Sequence, residues 1–130
     1  MISRRSTLSL FVCSFAGQFS IANAAETEPF TAATFEAAQK AGKSILVDIW
    51  ASWCPTCKAQ GPIIQGLQKD KRFTGLVVFR VDFDNQVDIV QSFGAQMQST
   101  LITFKGTKEV GRSVGETDPA AIEALLTKAI

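Results

Sequence analysis

The sequence predicts an α/β domain whose central mixed sheet of four to five strands is flanked by helices. Two short apolar runs rich in β-branched residues, 45–51 and 76–82, are typical of strands buried on both faces. Segments of helical composition separate these runs, as they do in parallel sheets. Two further strand patterns, 100–104 and 109–114, are joined by a short turn and predict a terminal hairpin.

The first 24 residues are typical of an export signal. Arg4 and Arg5 give a basic start, the stretch 8–21 is largely apolar, and Ala-Asn-Ala at 22–24 is a small-x-small cleavage pattern. A short transmembrane anchor is the alternative, but the apolar run is shorter than the ~20 residues of a spanning helix. We therefore expect cleavage near Ala24/Ala25, a single domain of residues 25–130, and a periplasmic location.

Composition narrows the range of functions. The chain has 130 residues, and the 106 that remain after cleavage are enough for one domain with a hydrophobic core. Of the 13 basic residues two lie in the signal, whereas all 12 acidic residues lie after it, so the mature domain has a net charge of −1. This balance gives no reason to expect a nucleic acid partner. Histidine is absent, which excludes a histidine base or metal ligand.

Helical patterns fill the intervals between the predicted strands. A short extended piece near Pro29 precedes a first helix over 34–41. The second helix covers 54–69, with Pro62 expected to kink it. A third helix is predicted over 87–93.

The fourth helix follows the terminal hairpin, whose turn is predicted at 105–108. Asp118 is a favourable N-cap and Pro119 suits the first helical position. Ile122, Leu125 and Leu126 are expected to face the core.

The segment Cys54-Pro55-Thr56-Cys57 lies directly after the first buried strand, at the start of the second helix. A helix N-terminus offers unpaired N–H groups and a partial positive charge, which stabilise an anion, and Pro55 lies where a missing N–H costs nothing. We therefore predict Cys54 as an exposed nucleophile that attacks a substrate disulfide. Cys57, one turn deeper and more buried, would resolve the mixed disulfide.

Two alternatives for this pair involve no redox cycle. A permanent disulfide would close too short a loop to stabilise the fold much. Half of a zinc site would need two further ligands, and the only other cysteine, Cys13, lies in the predicted signal, so two chains would have to share the metal. We expect no cofactor.

Asp48 is a carboxylic acid in the middle of an apolar strand. It could be solvated on an edge strand, but its apolar neighbours favour a buried carboxyl with a raised pKa. Such a group below the thiols could accept and return the proton of Cys57.

The segment 45–58 closely resembles the active-site segment of the thioredoxin family, and the similarity continues through Phe104 and Lys105 to the last helix. The matching residues are Asp48, Trp50, Trp53, Cys54, Cys57, Lys58 and Pro62. The resemblance implies the thioredoxin fold and a redox-active disulfide between Cys54 and Cys57. It also implies that Asp48 is the buried acid and that Trp53 shields the site.

The chain departs from the family pattern at two places. Arg80 stands where thioredoxins usually have a lysine that pairs with the buried acid, and arginine cannot give up its proton. Ser99-Thr100 stands where the family has a cis-proline followed by threonine, at the edge that grips substrate peptides. A cis bond before serine costs about 2.5–4 kcal/mol, so we predict a trans Gln98-Ser99 bond and a different substrate groove.

These features predict a monomeric periplasmic reductase of disulfides in oxidised client proteins, supplied with electrons by a membrane thiol-disulfide carrier of the cytochrome c biogenesis type. The main alternative is a disulfide-forming oxidase or isomerase. Oxidases of this fold commonly have histidine where Thr56 stands, and an inserted helical domain for which this chain has no room. A minor alternative is a metal or cluster held between two chains beside the proline-free loop.

Overall fold

The computed structural model describes residues 25–130, so the predicted signal at 1–24 lies outside the described residues. The strands are β1 (Thr27–Pro29), β2 (Ser44–Trp50), β3 (Leu76–Asp82), β4 (Thr100–Lys105) and β5 (Lys108–Val114). The helices are α1 (Ala32–Lys40), α2 (Pro55–Gln68), α3 (Val87–Ser92) and α4 (Pro119–Thr127), with a short 3-10 turn at Lys71–Phe73.

The five strands form one mixed sheet in the order β1-β3-β2-β4-β5. β1 and β2 run parallel to β3, whereas β4 is antiparallel to β2, and β5 is antiparallel to β4. The predicted combination of a parallel part with a terminal hairpin is confirmed, and β2 is the central strand.

The start of α1 differs from the prediction by two residues. We expected the helix from Thr34, but it begins at Ala32 because the side chain of Thr31 accepts a hydrogen bond from the Thr34 backbone N–H at 3.1 Å. That N-cap satisfies one of the unpaired donors of the first turn. At the other end Gly42 has φ +70°, which fits the predicted helix stop.

Two hydrophobic clusters cover the two faces of the sheet. On one face, phenylalanine rings pack mostly edge to face, with centroids 5.1–6.0 Å apart; they belong to Phe30, Phe35, Phe79, Phe93 and Phe104. On the other face, Leu46 of β2 packs in one cluster with Ile64 of α2 and Ile122 of α4.

Alternation along β2 places Asp48 on the α2 side of the sheet. Ile45, Val47 and Ile49 belong to the phenylalanine-rich face, whereas Leu46 belongs to the face covered by α2 and α4. Side chains two residues apart share a face, so Asp48 lies on the same side as Leu46. Asp48 and α2, the helix that begins at the cysteine pair, therefore lie on the same face of the sheet.

Between residues 25 and 130, the structure contains no helix whose length and apolar character would let it cross a membrane.

Candidate functional site

The two cysteines lie where the central strand passes into α2. The Cys54 backbone N–H donates to Ala51 O at 3.2 Å, which forms the turn after β2. Cys54 is the N-cap of α2, and its Sγ accepts a hydrogen bond from the Cys57 N–H at 3.1 Å. Pro55 occupies the first helical turn, as predicted. Both cysteines are free thiols.

Both thiols are buried, and the expectation of an exposed Cys54 above a deeper Cys57 is wrong. Cys54 is 1% exposed and Cys57 is 3% exposed. The cap explains the difference, because the Cys54 sulfur turns back towards the first turn of α2 instead of pointing to solvent. There it packs with Cys57 and Ala51, and the partly buried Trp50 and Phe83 complete the cluster.

Burial determines the acidity of Cys57. Removal from solvent raises its pKa to about 11, and the hydrogen bond with the Cys54 side chain acts in the same direction. Backbone groups of Ala51 and Ser99 oppose the rise without cancelling it. Cys57 therefore carries its proton at neutral pH and needs a base before it can attack a mixed disulfide.

Asp48 is buried, as predicted, and its nearest charged group is Arg80. Burial raises the pKa of Asp48, while the positive charge of Arg80 and its hydrogen bond lower it to a smaller extent. Arg80 Nη2 lies 3.3 Å from Asp48 Oδ2, and the guanidinium carbon stacks 5.0 Å above the Trp50 ring. The Arg80 side chain is partly exposed, so this pair links the buried acid to the surface.

Trp53 precedes the pair and lies on the surface. Its side chain is 54% exposed, and the indole Nε1 donates to Asp84 Oδ2 at 2.8 Å. Sequence reasoning did not single out Asp84, although the cluster Asp82-Phe83-Asp84-Asn85 at the end of β3 is a turn signal. The ring orientation of Trp53 is fixed by this bond.

Ser99 and Thr100 lie at the start of β4. None of the described residues has a cis peptide bond, so the predicted trans Gln98-Ser99 bond is confirmed. Ser99 instead has φ +58°, in the left-handed region that non-glycine residues rarely adopt. Its N–H donates to Ile49 O at 2.8 Å, and its carbonyl accepts the Gly115 N–H at 3.0 Å. The Thr100 hydroxyl donates to Met97 O at 2.7 Å.

Gln60 is a further residue of the site that sequence reasoning missed. It is 1% exposed on α2, and its Nε2 donates to Ser99 O at 3.3 Å and to Glu116 O at 2.9 Å. The sequence shows only a glutamine one turn after Cys57. Its hydrogen-bond partners are 39 and 56 residues away along the chain.

The remaining predicted residues, Pro55 and Thr56, belong to the first turn of α2. Pro55 is exposed and Thr56 is half-buried on the first turn of α2. Across residues 25–130 there is no group of three or more potential metal-binding side chains, and the chain has no histidine.

Two thiols one turn apart at a helix N-terminus, with a buried carboxyl on the same face of the sheet as that helix, define a thiol-disulfide oxidoreductase site. The fold and the site agree with the known proteins that this chain resembles. The family model described as Thioredoxin matches residues 26–128. The chain therefore belongs to the thioredoxin family, and its fold is the thioredoxin fold.

Relatives from distant organisms support the assignment. Thioredoxin-2 of Saccharomyces cerevisiae is 34% identical over 98 residues, which is 75% of this chain and 91% of the yeast protein. Thioredoxin of Malassezia sympodialis is 30% identical over 86 residues, covering 66% of this chain and 81% of the fungal protein. The crystal structure of Trxlp from Edwardsiella tarda EIB202 superposes with a TM-score of 0.76 at 42% identity, over 78% of this chain and 98% of that chain.

Proposed function

We propose that this protein reduces disulfides in oxidised client proteins, using Cys54 and Cys57 as an electron-donating dithiol. The burial of both thiols carries the proposal. Strongly oxidising pairs are oxidising because their reduced form is stabilised, chiefly as a thiolate. Burial of Cys57 has the opposite effect, because it raises the pKa of that thiol to about 11 and disfavours its thiolate. A pair whose resolving thiol is not stabilised as a thiolate favours donation of its electrons to a client disulfide.

The exchange has two steps. The Cys54 thiolate attacks one sulfur of a client disulfide, forms a mixed disulfide, and releases the other client sulfur as a thiolate that takes a proton. Cys57 then loses its proton to the Asp48 carboxylate and attacks Cys54 Sγ. The second client sulfur leaves as a thiolate and takes the proton back from Asp48, so two electrons pass to the client and the Cys54–Cys57 disulfide forms.

Asp48 must be ionised to accept that proton. Its burial opposes ionisation, and the fixed charge of Arg80 favours it. Arg80 itself cannot take part in proton transfer, so its role in the cycle is electrostatic.

The cellular setting is part of the proposal. The basic start, apolar stretch and small-x-small pattern of residues 1–24 support export to the periplasm. An exported reductase needs electrons from across the membrane, so a membrane thiol-disulfide carrier of the cytochrome c biogenesis type is the proposed donor. Fractionation of cells that express the chain with and without residues 1–24 tests the location.

Insulin reduction with dithiothreitol as electron source tests the activity. The wild-type protein should accelerate precipitation of the insulin B chain, and Cys54→Ser should abolish the acceleration. Reduced Cys57→Ser, freed of dithiothreitol and then mixed with insulin, should accumulate a mixed disulfide between Cys54 and insulin, visible on a non-reducing gel, because the resolving thiol is missing. A wild-type protein that leaves the insulin rate unchanged would refute the proposal.

A further inference from the structure

The carboxamide of Gln60 joins the helix that carries the thiols to two separate chain segments. Gln60 is the third residue after Cys57 on α2, and its Nε2 reaches Ser99 O and Glu116 O at 3.3 and 2.9 Å. Both acceptors are backbone carbonyls, so only the NH₂ end of the carboxamide fits between them. Gln60 is almost fully buried, and water does not compete for these bonds.

Its two partners form one edge beside the thiols. Thr100 pairs with Val114 at the ends of β4 and β5, and the Gly115 N–H donates to Ser99 O at 3.0 Å. We call the residues Ser99, Gly115 and Glu116 the substrate edge, because the thioredoxin family grips client peptides at the position of Ser99. Gln60 contacts this edge at Ser99, just before β4, and at Glu116, just after β5.

The substrate edge needs contacts that hold the backbone of Ser99 in place. Ser99 has φ +58°, a conformation that a residue with a Cβ adopts only when its surroundings hold it there. In the family a proline ring fixes the backbone at this position, and serine has no such constraint. The Ser99 backbone is held instead by Ile49 O on its N–H, and by Gly115 and Gln60 on its carbonyl.

The carboxamide oxygen of Gln60 is further evidence that glutamine is present here for its hydrogen-bond donor. Gln60 Oε1 is buried, and no residue in 25–130 donates to it. An unpaired buried acceptor lowers stability, so core packing alone would favour an apolar side chain here. The donor end, with its two carbonyl partners, is what distinguishes glutamine from such a side chain.

We propose that Gln60 is a positioning residue that sets the preference of this protein for polypeptide disulfides over small disulfides. The inference rests on the proposed reductase function. A polypeptide client lies along the substrate edge while Cys54 attacks, and it depends on the edge being fixed relative to α2. A small aromatic disulfide contacts the thiols without using the edge. Gln60 thus acts on client binding through the substrate edge, and its carboxamide makes no hydrogen bond to either thiol.

Gln60→Met tests this role, because methionine is similar in size and cannot donate. Gln68→Met is the matched control. Gln68 is also buried on α2, and its Nε2 donates to Thr27 Oγ1 at 3.0 Å on β1. Both variants lose one buried carboxamide from the same helix, but only one of them loses the link to the substrate edge.

The measurements are KM and kcat for insulin, kcat/KM for 5,5′-dithiobis(2-nitrobenzoate), and the equilibrium constant with glutathione. For Gln60→Met we expect KM for insulin to rise about tenfold, which corresponds to the net free energy of about one neutral hydrogen bond. The kcat for insulin, the kcat/KM for 5,5′-dithiobis(2-nitrobenzoate) and the equilibrium constant with glutathione should stay within about twofold. Gln68→Met should match the wild type in all four quantities. Gly115 N–H exchange with deuterium should accelerate in Gln60→Met alone.

Each other outcome has a defined meaning. Equal slowing with insulin and the small disulfide, or no change with either, overturns the inference while the proposed function stands. Wild-type protein that reduces neither substrate overturns both. If Gln60→Met does not fold, Gln60→Asn, which keeps the amide but is too short to reach both carbonyls, replaces it with the same expected results.

Discussion

Arg80 Nη2 lies 3.3 Å from Asp48 Oδ2, and the two residues are register partners on adjacent parallel strands. Asp48 is buried whereas Arg80 reaches the surface, with its guanidinium stacked on Trp50. A lysine could lose its proton to a buried partner, but the guanidinium stays charged at every pH of interest. The electrostatic partner of the buried acid is therefore constant throughout the catalytic cycle.

Asp48→Asn should slow the resolving step. Asparagine keeps the shape of the side chain but cannot accept the Cys57 proton, and a positioned base contributes about 10²–10⁴-fold in typical enzymes. We expect breakdown of the mixed disulfide to slow by at least about tenfold at pH 7, with the deficit shrinking towards pH 9 as hydroxide replaces the base. Stopped-flow tryptophan fluorescence measures this step. Rates equal to wild type across pH 6–9 would remove Asp48 from the mechanism.

The same substitution should stabilise the protein above pH 4. Burial raises the pKa of Asp48 above its unfolded value of 3.8, so the folded state binds the proton more tightly than the unfolded chain. The contribution of Asp48 to the stability of the wild type is therefore fully present below pH 3.8 and is lost as the pH rises through the folded-state pKa. Urea denaturation should therefore show a larger gain in unfolding free energy for Asp48→Asn at pH 8 than at pH 4.

Asp70→Asn is the control for that measurement. Arg72 holds the pKa of Asp70 below its usual value through hydrogen bonds. Its contribution to stability is present at neutral pH and is lost as the pH falls, which is the opposite sign. A stability gain for Asp70→Asn at pH 8 similar to that of Asp48→Asn would contradict the assignment.

Arg80→Met should raise the pKa of Asp48 further. The charge and hydrogen bond of Arg80 both lower that pKa in the wild type, and methionine retains only the packing. Carboxyl carbon chemical shifts, followed by NMR against pH, report the midpoint directly. We also expect a loss of about 1 kcal/mol in stability at pH 8, modest because Arg80 is partly exposed. Arg80→Lys should give a smaller shift, and an unchanged midpoint in Arg80→Met would disprove the coupling.

Ser99→Pro should destabilise the protein even though proline is the family residue. Proline fixes φ near −65°, whereas Ser99 has φ +58°, and its N–H donates to Ile49 O. We expect a loss of about 2 kcal/mol or more. Ser99→Gly keeps the N–H and accepts a positive φ, so it should stay within about 1 kcal/mol of the wild type. Thermal unfolding compares them, and a Ser99→Pro variant as stable as Ser99→Gly would contradict this backbone geometry.

Local signals were enough to predict most of the fold. The continuous apolar run of β2, the cap at Asp118 and the glycine stop at Gly42 act within a few residues, and the sequence displays them directly. The boundaries that shifted did so through short-range bonds such as that of Thr31, which compete closely with the next possible start.

The site was predicted less completely, because its remaining features depend on contacts far apart in the chain. Cys54 was expected to be exposed, but the direction of its sulfur follows from the cap and from packing against Phe83. Asp84 and Gln60 act on residues 31 to 56 positions away. No pattern within a single segment indicates such partners.

The redox potential of the Cys54–Cys57 pair, measured by equilibration with glutathione, tests the central claim most directly. A buried pair in which the pKa of Cys57 is raised to about 11 should give a potential close to the value of about −270 mV that is typical of thioredoxin. A potential near −120 mV, about 7 kcal/mol away for two electrons, would mark a disulfide-forming oxidase and contradict the account.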